Sequence, residues 1–205
     1  MNAAAWVIAA ALPLAAPPKL LVNTQVETAS AAGGLDRAFR NLVSAQTQAG
    51  WIGYEIPLAR GVNPGCEYVS PGGWTAPGVI HLEPPEHVVI LFRAEAGTVT
   101  RVRVLSPDCE IDAGGAPVHW LEDVRAADST ALLQTFATAT KPPAERLRES
   151  AVYALSVTQD PGALDFLITL ARKDADRRIR QMCVSALARS KDPRAEAFFS
   201  EVFKP

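Results

Sequence analysis

Apolar residues keep two different rhythms along this chain, and the change of rhythm divides it. Over 35–48, Leu35, Phe39, Leu42 and Val43 share one helical face, Asp36, Arg37 and Arg40 face water, and Gly50 supplies a stop. From Trp51 to about Leu121 the spacing becomes that of strands. Trp51-Ile52-Gly53-Tyr54-Glu55-Ile56, Val79-Ile80-His81-Leu82 and Val118-His119-Trp120-Leu121 read as strands, and 87–93 with 98–105 reads as a hairpin turned by Ala94-Glu95-Ala96-Gly97. The first hairpin strand is almost wholly apolar, which predicts a central position. The second alternates, with Val99, Arg101, Arg103 and Leu105 on one side and Thr98, Thr100, Val102 and Val104 on the other. One face of an antiparallel sheet is therefore expected to be wet. Asp112-Ala113-Gly114-Gly115 predicts a turn, and from Asp128 onward helical spacing returns.

The helical part repeats itself at an offset of 32 residues: 146–155 recurs as 178–187, Asp160-Pro161-Gly162-Ala163 as Asp192-Pro193-Arg194-Ala195, and Phe166 as Phe198. A shared period means one helical unit built more than once, each copy covering its neighbour's apolar face. Leu147, Ala151 and Leu155, and then Ile179, Cys183 and Leu187, form equivalent stripes on the first helices. Asp160 and Asp192 are placed to cap the second helices, with Pro161 and Pro193 at the first helical position. Asp128-Ser129-Thr130-Ala131-Leu132 opens the second helix of an incomplete earlier unit, with Pro142-Pro143 as a break, so about two and a half units are expected.

Asp176-Arg177-Arg178-Ile179-Arg180, Ala186-Leu187 and Asp192-Pro193-Arg194-Ala195 resemble the HEAT-repeat pattern of the phycocyanobilin-lyase-like type, over roughly residues 128–204. The resemblance implies a ladder in which Arg148 and Arg180 pair with the turn aspartates Asp160 and Asp192. It also implies a module that binds partners. The Trp51-Ile52-Gly53-Tyr54 and Asp108-Cys109-Glu110-Ile111-Asp112-Ala113-Gly114-Gly115 stretches resemble bacterial HEAT-containing proteins predicted to be exported, a resemblance that carries no activity with it. The fold expected is α+β: a leader and linker over 1–34, a small antiparallel sheet with one packing helix over 35–127, and a short all-α HEAT-like array over 128–205.

Composition narrows the function classes. A net charge of -2 argues against a general nucleic-acid binder. No apolar run is long enough for a lasting membrane span, and none is expected in the mature chain. Ala3 to Ala16 is uncharged and of the length of a secretory h-region, which predicts export to the periplasm or beyond; a disordered Ala-rich leader or a misplaced start codon is the alternative. Cys66 and Cys109 sit in loop-like contexts, and in an exported chain one disulfide is the simplest reading, against two unrelated thiols or metal ligands. Cys183, on the first-helix stripe, is expected in the core.

Sharper chemistry finds little footing. His81 and His87 with Cys66 or Asp108 lack the compact spacing of a zinc site, and strand-end histidines are the plainer reading. Cys109 with His119 could form a thiol–imidazole pair, but Asp108 beside it would raise the thiol pKa. No cofactor is expected. The Arg172, Lys173, Arg177, Arg178, Arg180 cluster is interrupted by Asp174 and Asp176 and reads first as a solvated turn between repeats. Phe198, Phe199 and Phe203 crowd the last helix and either pack back on Phe166 and Leu170 or leave a docking face. The expected function is non-catalytic protein–protein contact through the second-helix face around Asp165, Thr169, Arg172, Glu196 and Lys204. The alternative is an accessory protein of lyase or chaperone type holding an apolar ligand or chromophore, which would need a reactive thiol or an apolar pocket.

Overall fold

The computed structural model describes residues 21–66, 83, 85–140 and 144–204. The leader stretch Ala3 to Ala16, the Val79-Ile80-His81-Leu82 strand with His81, and the Pro142-Pro143 break lie outside the described residues. The elements run β1 (Leu21–Val22), β2 (Val26–Ser30), α1 (Leu35–Ala45), β3 (Gly50–Pro57), β4 (His87–Glu95), β5 (Thr98–Leu105), β6 (Ile111–Asp112), β7 (Val118–Glu122), α2 (Ala126–Ala137), α3 (Ala144–Val157), α4 (Pro161–Lys173), α5 (Arg177–Arg189) and α6 (Pro193–Val202). A sheet region is thus followed by a helical run of one single helix and two helix pairs, as the repeat count predicts.

The sheet order is β2-β7-β3-β4-β5. The β3–β4–β5 part is antiparallel, as expected, but β7 lies parallel to both β3 and β2, so the sheet is mixed. The segment expected to be linker supplies β1 and β2. Val26-Glu27-Thr28 carries weak strand signal by itself; it is strand because β7 offers it a row of partners. Apolar β4 is an interior strand, buried on both faces: Val88, Ile90 and Phe92 enter the main core, Val89 and Leu91 a smaller one.

A bulge corrects the strict alternation read for β5. Arg93 pairs with Arg101 and Ala94 with Val99, which leaves Thr100 as the extra residue. That extra residue returns Val99 to the face of Val102 and Val104, and all three are buried together. The hairpin itself turns at Ala96 and Gly97, both with positive φ (48° and 73°), the twist that suits a two-residue connection.

Helix α1 stops at Ala45 rather than near 48, because Gln46 adopts an extended backbone that leads into β3. Its Phe39 packs edge-on against Phe92 of β4 at 4.8 Å, and Phe92 lies 5.5 Å from Phe136 of α2. One buried cluster continues from these rings through the stripes Leu147–Ala151–Leu155 and Ile179–Cys183–Leu187 to Phe198. The apolar core therefore crosses the expected boundary at 127/128 without a break. On the opposite sheet face Trp120 covers Gly53: a Cβ placed there would stand 3.0 Å from the indole and 2.5 Å from Leu91, so only glycine admits the ring.

Candidate functional site: the repeat turns and the loop beside them

Both second helices start on aspartates that do the capping the sequence predicts. Asp160 accepts from the amide of Ala163 and Asp192 from that of Arg194, each followed by proline at the first helical turn. Asp192 is also gripped by the Arg194 guanidinium at 3.0 and 2.8 Å, and this bonding holds its carboxyl below the usual range.

Neither aspartate meets the ladder arginine assigned to it. Arg148 donates to the Ala137 carbonyl at 2.9 Å and to Asp174 at 2.6 Å, with Asp176 at 3.9 Å. Arg180 donates to the carbonyls of Asp174 and Ala175 at 2.7 and 3.0 Å. The reason is the length of the first helix. Arg148 stands near the start of α3, whose end at Val157 is already about 14 Å away along the axis at 1.5 Å per residue, and Asp160 follows that end. The acidic residue within reach is the one in the turn between repeats. Asp174 and Asp176 are thus the residues that the sequence reading missed; the Asp174-Ala175-Asp176 turn ahead of α5 was the signal.

Ion pairs join equivalent helices of the two full repeats. Glu149 meets Arg178 at 2.6 Å, Asp165 meets Arg194 at 2.7 Å, and Arg172 meets Glu201 at 2.6 Å, each pair spanning 29 residues. The period is 32, so each residue meets a position one helical turn before its own counterpart. Such exposed pairs contribute little stability, about 0.2–1 kcal/mol each, and mainly define register.

These contacts engage most of the surface expected to bind a partner. Asp165 and Arg172 are paired as above, Arg172 also lies over the Phe198 ring at 5.6 Å, and Thr169 donates to the Asp165 carbonyl. Glu196 and Lys204 remain exposed. Phe198 is buried and packs back into the array, while Phe203 is 76% exposed and stacks on Phe199.

Cys66 and Cys109 are joined in a disulfide. Cys109 therefore offers no thiol to His119, which instead faces Glu27 at 3.3 Å, as His87 faces Glu55 at 3.6 Å. Among the described residues no group of three or more His, Cys, Asp or Glu could hold a metal ion. Cys183 is fully buried, and burial pushes its thiol up to about 12.

The disulfide ends a loop, 58–66, that is tied to the repeats. Ala59 donates its amide to Val157, the Gln159 amide donates to Pro57, Leu58 bridges Thr158, and the Tyr153 hydroxyl donates to the Pro64 carbonyl. At the far end Ser106 donates its amide to Gly65 at 2.9 Å, next to the disulfide. Between this loop and the α3–α4 and α5–α6 turns lies an open groove of about 850 Å³.

Residues 116–204 match the family model of HEAT repeats. The match spans α2 to α6 and supports a HEAT-repeat domain in the carboxyl-terminal part of the chain. No curated protein matches the chain, and no solved structure does.

Proposed function

We propose that this chain acts by binding another protein through its helical array, without catalysing a reaction itself. The observation that carries the reading is the HEAT-repeat match over residues 116–204, since arrays of this kind commonly serve as interaction scaffolds. The contact surface proposed is the second-helix face around Asp165, Thr169, Arg172, Glu196 and Lys204, where Glu196 and Lys204 are the charges left for a partner. The repeats are proposed to be of the phycocyanobilin-lyase-like type and the chain bacterial. Export belongs to the same proposal and is supported by the Cys66–Cys109 disulfide, which persists in an oxidising compartment.

The test is affinity capture of the full chain from its native host, comparing wild type with Glu196→Lys/Lys204→Glu. A specific partner that the variant retains poorly is the expected result. Wild type that recovers nothing specific would remove the main support. Intact mass of the protein from the same host reports leader removal and the disulfide together.

A second reading, an accessory protein holding an apolar ligand or chromophore, draws on one cavity. An open pocket of about 230 Å³ on the outer sheet face is lined by Leu21, Trp51, Leu91 and Leu105. An accessible thiol in the native chain, found by counting thiols on the folded protein, would favour it.

A further inference from the structure

The groove between the 58–66 loop and the two repeat turns has a charge pattern unlike the rest of this weakly acidic chain. Arg60 stands on the loop side, and Arg189 and Lys191 on the α5–α6 turn. All three are exposed, and none has an ion-pair or hydrogen-bond partner among the described residues. Lys191 leans across the opening: its Cε lies 3.6 Å from where a Cβ on Gly61 would stand. The carboxylates at the groove are already engaged, Asp160 with the amide of Ala163 and Asp192 with Arg194. Arg194 in turn is ion-paired with both Asp192 and Asp165. The lining thus holds four cationic side chains, Arg60, Arg189, Lys191 and Arg194, against two carboxylates, Asp160 and Asp192, and its net charge is positive.

The floor of the groove is apolar. Val62, Leu164 and Ala186 line it, each half-buried, so each has area left to cover. The walls are preformed, because the loop is held at one end by Ala59–Val157 and Leu58–Thr158 and at the other by Tyr153 and the disulfide. A wall that is already ordered lowers the entropic cost of binding.

Resting on the reading of the chain as a protein-binding module, we propose that this groove takes an acidic, extended peptide segment of the partner. Glutamate or aspartate side chains would meet Arg60, Arg189 and Lys191, and interleaved apolar side chains would cover Val62, Leu164 and Ala186. Charge complementarity selects this occupant. A nucleic-acid strand fits less well, because among the described lining residues Tyr153 is the one aromatic ring, too few for successive bases to stack on.

The probe is a short fluorescein-labelled peptide of alternating glutamate and leucine, with glutamine replacing every glutamate in the control, read by anisotropy against the full chain. Binding of the glutamate peptide at least about tenfold tighter than the control is expected, weakening as salt rises. Arg60→Glu/Arg189→Glu/Lys191→Glu should lower it by at least about tenfold, and Arg101→Glu, exposed on β5 and outside the groove, should not. A milder Arg60→Gln/Arg189→Gln/Lys191→Gln variant with an unchanged melting temperature guards against misfolding and should also lose binding. No binding by wild type, equal binding of the two peptides, or unchanged binding by the glutamine variant overturns the proposal. So does tighter binding of a single-stranded oligonucleotide of the same length. In the capture experiment, a triple variant that still retains the partner defeats the groove alone. If wild type captures nothing, the protein-binding reading fails while the peptide titration still decides the groove.

Discussion

Arg148 and Asp174 lie 26 residues apart in sequence and 2.6 Å apart in the fold, the arginine at the start of one repeat and the aspartate at the end of its second helix. The same guanidinium donates to the last carbonyl of α2, so one side chain joins the single helix to the turn between the two full repeats. Asp174 is only 8% exposed and Arg148 20%. Removing one partner therefore strands the other in a poorly solvated place.

Arg148→Met should then destabilise the fold by roughly 2–3 kcal/mol, measured by urea unfolding. Arg178→Gln, which breaks the more exposed pair with Glu149, should stay under about 1 kcal/mol. Equal losses would mean that Arg148 is one more surface charge.

Tyr54 joins the sheet to α2 through a buried bond of 2.9 Å to the Ser129 hydroxyl. Burial raises its phenol above the usual 10.0, so the folded chain keeps this proton where the unfolded chain has lost it. Stability is unaffected by this group below about pH 10 and falls above it, by up to about 1.4 kcal/mol per pH unit. Tyr54→Phe should flatten that alkaline limb in denaturant titrations at successive pH values. At neutral pH it should cost about 1–3 kcal/mol, because Ser129 loses its partner. An alkaline slope that survives the substitution would assign it to other groups.

Gly53→Ala should destabilise by about 1–3 kcal/mol, since Leu91 or Trp120 must move to admit the methyl group. The matching readout is Trp120 fluorescence, which should shift in the folded variant. An unchanged midpoint and spectrum would show that the outer face has room to spare.

The Cys66–Cys109 bond closes a sequence separation of 43 residues, worth about 4 kcal/mol on the chain-entropy argument. Cys66→Ser/Cys109→Ser should approach that loss in thermal unfolding. In the oxidised native chain Cys183 should resist thiol reagents and react only as fast as the protein opens, given its burial. Rapid labelling of one thiol under native conditions would contradict the packing around α5.

The repeat period, the two capping aspartates and the apolar stripes of α3 and α5 were all legible in the sequence, because each depends on residues within a turn or two of one another. The charges of the inter-repeat pairs were visible too, as Glu149, Asp165 and Arg172 with Arg178, Arg194 and Glu201. Their pairing was not, because the one-turn stagger comes from how neighbouring helices settle against each other. The bulge at Thr100 and the parallel placement of β7 escaped for a related reason: strict alternation and short connections are local rules, whereas both features answer to partners far along the chain.

By itself, then, the sequence determined where helices start, which residues repeat and which positions are apolar, since backbone capping and hydrophobic periodicity act over short separations. Only the tertiary structure decided which arginine meets which aspartate. It alone set the loop ending at Cys66 beside two repeat turns and left Arg60, Arg189 and Lys191 around one groove. Those outcomes depend on distances across the packed core, and no spacing along the chain encodes a distance of that kind.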